Sequence, residues 1–175
     1  MEKIKGIIAV PSELADRLAI QDVIFNHSRG LDRLNSECLK NCYWPEAEVD
    51  YGSYKGSAHQ FAELVVDALA SQYQLTHHSL GNTLVEIRGD IALVETYVNA
   101  SHLLRSASEE MVFSGRYLDR LQRRGDRWKI LHRQVVMDWS RSHSLVDERN
   151  SESFAAMAKG AHRTDDPLHL FLAGA

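Results

Sequence analysis

The first part of the chain carries its apolar residues at the three-and-four spacing of α-helices. Three segments have this pattern: "SELADRLAIQDVIFNHSRGLD", the short "ECLKNCYW" and "SAHQFAELVVDALASQY". Asn35 and Ser36 are suited to cap the second helix, and Pro45 is expected to end it. Between the second and third helices, "AEVDYGSYKG" alternates and ends in glycine turns, which predicts a short strand or hairpin.

After the third helix, the period changes to the alternation of β-strands. Two pairs of long strands are predicted, with turns at Gly89-Asp90 and Gly125-Asp126. Helices followed by a meander predict an α+β domain, in which the N-terminal helices close a conical, strongly curved antiparallel sheet around a pocket. We assign residues 1–144 to this single domain. We expect residues 145–175 to be a C-terminal tail that serves as a lid or an oligomer contact. Within this tail, "SESFAAMAKG" is expected to be helical.

Composition narrows the class of protein. The 175 residues, 44% hydrophobic and 25% charged, suit one globular domain. A net charge of -4 with thinly spread Lys and Arg argues against a nucleic-acid partner. Cys38 and Cys42 match neither a disulfide framework nor a zinc site. The apolar run "GIIAV" is too short for a signal peptide or a membrane span, so we expect a cytoplasmic protein without a membrane partner.

Motifs exclude several chemistries. The sequence has no glycine-rich dinucleotide fingerprint, no phosphate-binding loop and no metal-ligand triad, so we expect no cofactor and no metal. Elimination, isomerisation and retro-aldol cleavage remain, because side chains alone can move the protons. Histidine is best matched to that task near neutral pH, and a carboxylate on its second nitrogen fixes the tautomer.

Three runs carry a family resemblance: "LADRLAIQDVIFNHSRGLD", "THHSLGN" and "RYLDRLQRRGDRWKILHRQVVMDW". Over residues 12 to 142 the chain resembles the SnoaL-like branch of the nuclear-transport-factor-2-like superfamily, which includes lindane dehydrochlorinase, bile acid dehydratase and scytalone dehydratase. The resemblance implies a catalytic dyad of Asp32 and His78, with Arg133 as the pocket arginine. His27 stands where some members place a tyrosine or lysine.

Alternation supplies further candidates for substrate binding beside His27. These candidates are Tyr97 and Asn99 on one predicted strand, and Phe113 and Tyr117 on the next. The two residues of each pair share a face of their strand, but alternation alone does not tell which face points into the pocket. Five residues on an ideal helix are about 140° apart, so His27 and Asp32 converge only if the helix bends near Gly30.

Each catalytic candidate has a structural alternative. In these alternatives Asp32 simply ends a helix beside Arg33, and Arg133 pairs with a cross-strand carboxylate. His77 and His78 must face opposite sides of their strand, so a register slip would exchange them. We choose His78 and expect His77 at the surface.

The sequence therefore predicts a cofactor-independent lyase, either a dehydratase or a deformylating retro-aldol enzyme, for a small hydrophobic ring compound. His78 is the general base and Asp32 orients it. The alternatives are an enzyme similar to ketosteroid isomerase or epoxide hydrolase, and a non-catalytic binding or assembly module. Because a meander exposes a broad sheet face, we expect a homodimer or homotrimer.

Overall fold

Three helices and two short strands come before four long strands in the computed structural model, which covers residues 11–106 and 108–174. The elements are α1 (Pro11–Asp32), α2 (Ser36–Asn41), β1 (Tyr43–Asp50), β2 (Lys55–Ser57), α3 (Ala58–Gln72), β3 (Tyr73–Arg88), β4 (Ile91–Leu104), β5 (Glu109–Arg124) and β6 (Arg127–Ser144). A 3-10 turn (Arg163–Asp165) and a short helix α4 (Pro167–Ala173) follow. Within these residues, no helix has the length and apolar composition needed to cross a membrane.

Local chemistry explains where the short helices begin. The side chain of Asn35 accepts a hydrogen bond from the backbone N–H of Cys38, which caps α2. Ser57 caps α3 in the same way. The predicted end of α2 at Pro45 is wrong, because the chain leaves the helix after Asn41 and Tyr43 already pairs with β6.

The sheet has the strand order β2-β1-β6-β5-β4-β3. The pairs from β3 to β6 are antiparallel hairpins as predicted, but β1 runs parallel to β6, with Val49 opposite Arg133. The sheet is therefore mixed, which corrects the antiparallel prediction; α3 and the meander separate β1 from β6 and permit the parallel direction. It is curved but not closed on itself, since β2 and β3 form two separate edges.

The core lies between α1 and the inner face of the sheet. Ile20 and Ile24 of α1 pack against buried residues of four strands; these are Tyr43, Val49, Ala92, Val94, Leu121 and Ile130. Burying such side chains contributes roughly 1.5–3 kcal/mol each. On β4, the even-numbered residues from Ala92 to His102 are the buried ones, so they define the inner face of this strand.

The C-terminal tail returns to the end of α1 in the same chain. The backbone N–H of Arg163 donates to the carbonyl of Arg33 at 2.9 Å, and the Arg33 side chain lies 3.5 Å from a carboxylate oxygen of Asp166. The predicted helix in "SESFAAMAKG" is wrong, because these residues form turns; the helix lies later, where the Asp166 side chain caps α4.

Gly30 allows α1 and α2 to pack closely. A Cβ atom at this position would lie 2.8 Å from Cδ2 of Leu39 and 3.3 Å from its backbone nitrogen. Gly30→Ala gains up to about 1 kcal/mol of helix propensity, but overpacking costs about 1–3 kcal/mol, so we expect a net loss of stability in urea unfolding. Gly81→Ala is the control, since its nearest neighbour would be 3.6 Å away. A Gly30→Ala protein as stable as wild type would contradict this packing.

Candidate active site

The carboxylate of Asp32, the last residue of α1, is held by three donors from β3. The hydroxyl of Thr76 donates to Oδ1 at 2.8 Å, and the backbone N–H of His78 donates to Oδ2 at 2.9 Å. Nδ1 of His78 lies 2.6 Å from Oδ1. A carboxylate only accepts hydrogen bonds, so Nδ1 carries the proton and Nε2 has the free lone pair. The structure thus brings the predicted pair together.

The edge position of β3 makes this contact possible. Within the described sheet β3 pairs only with β4, so its second edge faces α1 and the N–H of His78 reaches Asp32. Thr76 and His78 are two residues apart and point to the same side. His77 lies between them and is exposed, as expected. The register therefore selects His78 as the partner of Asp32.

The hydrogen bonds keep Asp32 ionised. Burial alone would raise the pKa of this carboxyl, but the hydrogen bonds and charge of His78, with the hydroxyl of Thr76, outweigh burial and hold the pKa below its ordinary 3.8. The site therefore contains a fixed negative charge beside an oriented imidazole, the arrangement that stabilises an imidazolium when His78 accepts a proton.

A second histidine, which the sequence reasoning missed, lies next to the pair. The rings of His102 and His78 have centroids 5.7 Å apart in an edge-on arrangement. Nδ1 of His102 is within hydrogen-bond distance of the carbonyls of Ala100 and Met111, and therefore carries a proton. Burial, and then the charge of His78, lower the pKa of His102, so this imidazole is neutral at neutral pH. His102 continues the series of buried even-numbered residues of β4, and this alternation is the signal in the sequence that points to it.

An open cleft of about 400 Å³ lies between α1 and β3 and includes the dyad. Phe25 and Leu80 contribute apolar surface. The remaining lining residues are polar; they are Ser28, Arg29, Asp32, Arg33, His77 and His78. A small molecule in this cleft would contact both an apolar surface and the Asp32–His78 pair.

A separate buried network contains two of the other predicted site residues. Arg133 is fully buried, and its Nε and Nη2 donate to the two carboxylate oxygens of Asp119 at 2.7 Å each. Its Nη1 donates to Nδ1 of His27 at 2.7 Å, and Nε2 of His27 donates to the hydroxyl of Tyr43 at 2.7 Å. We call these four residues the arginine network.

The arginine network favours a structural role for Arg133. The guanidinium is paired with a cross-strand carboxylate, as in the alternative stated above, and lies 4.2 Å from the centroid of the Tyr117 ring. Arg133 and His27 are not among the residues that line the cleft. His27 points toward β1 and β6, whereas Asp32 points toward β3, so the two side chains do not converge.

The remaining predicted substrate residues divide between the two faces of the sheet. Tyr117 and Phe113 pack on the inner face with Val98 and Ala100. Tyr97 is 42% exposed on the opposite face, where Asn99 accepts a hydrogen bond from Ser114. The structure does not place Tyr97 or Asn99 on the pocket side, because the buried even-numbered residues of β4 occupy it.

We expect the arginine network to act through stability. Asp119→Leu leaves a buried guanidinium without its carboxylate, so it should lower the free energy of unfolding by about 3–5 kcal/mol. The double variant Asp119→Leu/Arg133→Met removes both charges and should recover most of that loss in urea unfolding. Wild-type stability of the single variant would contradict a structural ion pair.

His27 should make stability depend on pH. Burial, followed by the positive charges of Arg133 and His78, holds the pKa of His27 well below 6.5. The unfolded chain therefore takes up this proton first, and as pH falls below about 6.5 stability drops by up to about 1.4 kcal/mol per pH unit for this group.

Urea unfolding of His27→Gln between about pH 7.5 and pH 5.5 measures this contribution, since the variant should have a shallower slope than wild type. His77→Gln, at an exposed position of β3, serves as the control and should keep the wild-type slope. Equal slopes in wild type and His27→Gln would refute the buried neutral imidazole.

The model of the SnoaL-like domain family matches residues 12–134. An uncharacterized protein of Mycobacterium tuberculosis is 25% identical over 125 residues, which are 70% of this chain and 85% of that protein.

Solved structures with the same fold include two from Novosphingobium. A Novosphingobium aromaticivorans protein to which scytalone dehydratase activity is attributed matches with a TM-score of 0.69 and 17% identity, over 87% of this chain and 95% of its own. A hexachlorocyclohexane dehydrochlorinase from Novosphingobium barchaimii matches with a TM-score of 0.67 and 22% identity, over 75% and 91% of the two chains. These likenesses support the curved α+β architecture.

Proposed function

Because the chain belongs to the SnoaL-like domain family, we propose that it is a lyase that acts on a small ring compound through the Asp32–His78 dyad. The observation that carries the proposal is the orientation of His78, whose Nδ1 is bound by Asp32 while the residue lines an open cleft. Two proteins of the same fold are named as a dehydratase and a dehydrochlorinase, which both eliminate a small molecule.

The proposed reaction begins with removal of a proton from a substrate carbon by Nε2 of His78. The electrons of the broken C–H bond form a C=C bond, and the leaving group departs with the electrons of its own bond. Asp32 stabilises the imidazolium, which then returns its proton to the leaving group or to water. In a retro-aldol variant, His78 removes a proton from a substrate hydroxyl, the electrons of the O–H bond form a C=O bond, and the neighbouring C–C bond breaks. The carbanion that keeps the electrons of the C–C bond then takes the proton back from the imidazolium.

The surroundings of the dyad support this role. Thr76 holds one oxygen of Asp32, so the carboxylate cannot turn away when His78 changes charge. His102 is neutral, so it adds no positive charge beside the imidazolium. Phe25 and Leu80 line the cleft with apolar surface suited to a ring.

The distribution of acidic residues favours a lyase over a reaction with two carboxyl groups. Asp32 is the one acidic residue that lines the cleft in the described part of the chain. Glu95 is paired with Arg116, and Asp119 is paired with Arg133. The isomerase and epoxide hydrolase alternatives therefore have less support.

The test is turnover of hydroxylated steroids and lignin-type diaryl diols, followed by mass spectrometry. His78→Gln and Asp32→Asn should each lower kcat by roughly 10²–10⁴-fold, because general-base catalysis is lost. Thr76→Val should have a smaller effect, of roughly tenfold, since it removes one of three hydrogen bonds to Asp32.

His132→Gln is the matched control, because it changes an exposed imidazole on β6 that does not line the cleft. Circular dichroism establishes that each variant is folded. Full activity in folded His78→Gln would refute the dyad. Binding of the compounds without turnover by wild type would favour the non-catalytic binding module.

A further inference from the structure

We propose that the cleft takes a ring compound that carries a carboxylate, and that Arg29 binds this anion. The inference rests on the proposed function in that it treats the cleft as the substrate site. The Asp32–His78 dyad alone predicts neither the charge of the substrate nor a residue that determines specificity.

The acidic oxygens of the cleft belong to one residue, Asp32, within the described part of the chain. Both carboxylate oxygens of Asp32 accept hydrogen bonds from Thr76 and His78, three in all. A cationic group of a ligand would thus compete with three existing donors. Since a buried donor or acceptor loses free energy when its partner is removed, the cleft is poorly suited to a cation.

Positive charge in the cleft, by contrast, has no carboxylate partner at one of the described positions. Arg33 is compensated, because it lies 3.5 Å from Asp166. Arg29 is exposed and donates to the amide oxygen of Asn26 at 2.6 Å. It also lies beside Cys38 and, after the hydrogen bond with Cys42, helps to lower the pKa of the Cys38 thiol to about 6. Within residues 11–106 and 108–174 Arg29 forms no salt bridge with a carboxylate, and the five N–H donors of its guanidinium leave donors for a ligand in the cleft that it lines.

A second donor lies beside Arg29. The hydroxyl of Ser28 is buried and has no hydrogen-bond partner among the described residues, and Ser28 also lines the cleft. Unpaired donors next to a guanidinium are the complement of carboxylate oxygens, which only accept hydrogen bonds.

The helix sets the distance between the anion site and the dyad. Arg29 precedes Asp32 by three residues, which places the two Cα atoms about 4.5 Å apart along the axis of α1. A carboxylate on Arg29 would therefore lie within a few bonds of the carbon that faces His78, with the ring against Phe25 and Leu80. The substrate class is an aromatic or alicyclic acid.

The test compares biphenyl-4-carboxylate with biphenyl-4-carboxamide, which share a shape and differ in charge, by isothermal titration calorimetry. Wild type should bind the carboxylate about fivefold more tightly, and the preference should fall as the salt concentration rises from about 50 to 500 mM. Arg29→Gln should abolish the preference, and Arg29→Lys should retain much of it.

Arg127→Gln is the matched control, because Arg127 is exposed on the β5–β6 turn, far along the sheet from the cleft. A role of Arg29 only in stabilising the last turn of α1 would lower stability without changing the preference for carboxylate. Unchanged preference in Arg29→Gln, equal binding of the two compounds by wild type, or binding of neither would overturn the inference.

The outcome is separable from that of the proposed function. His78→Gln should keep the preference for carboxylate, because the anion site does not use the imidazole. Loss of the lyase reaction with the preference intact would reject the dyad and keep the anion site. Lyase turnover of uncharged compounds that is unaffected by Arg29→Gln would keep the dyad and reject the anion site.

Discussion

The contact between the end of α1 and the free edge of β3 is the constraint on which the site depends. One carboxylate, that of Asp32, satisfies a backbone N–H, a hydroxyl and an imidazole of β3. The backbone bond fixes the register of the helix end against the strand, and the same register orients His78. Structure and proposed chemistry therefore use the same three hydrogen bonds.

Two polar clusters in the described part of the chain, the arginine network and the Asp32–His78 dyad, differ in their hydrogen bonding. In the arginine network, Arg133 is bound to both oxygens of Asp119 and to His27, and His27 is bound on both nitrogens. Every side-chain nitrogen of Arg133 and His27 therefore has a partner, and the network stabilises the interior. In the dyad, Nε2 of His78 has no partner within the described residues, and the residue lines a cleft. A nitrogen without a hydrogen-bond partner beside an open cleft is what removal of a proton from a substrate requires.

Sequence patterns predicted the elements better than their partners. The turns at Gly89-Asp90 and Gly125-Asp126 defined the meander, and Asn35 caps α2 as predicted. The parallel pairing of β1 with β6 was not predicted, because alternation reports the faces of a strand and not its direction in the sheet. For the same reason Tyr97 and Asn99 were assigned to the pocket, although polar residues at alternate positions are equally typical of a solvent face.

The partner of Arg133 illustrates a further limit of sequence patterns. A regular hairpin around Gly125-Asp126 would place Arg133 opposite Leu118. A shift of register between Arg120 and Leu121 places it opposite Asp119 instead, and this creates the buried ion pair. Asp32 and His78 were identified through the family resemblance, since 46 residues separate them and no local period joins them.

NMR of protein labelled with ¹⁵N-histidine reports the protonation of the His78 ring and so tests its contact with Asp32. We expect a proton on Nδ1 of His78, with a downfield resonance from its short hydrogen bond to Asp32, and loss of that signal in Asp32→Asn. A proton on Nε2 at neutral pH with Nδ1 unprotonated, or the same Nδ1 signal in Asp32→Asn, would contradict it.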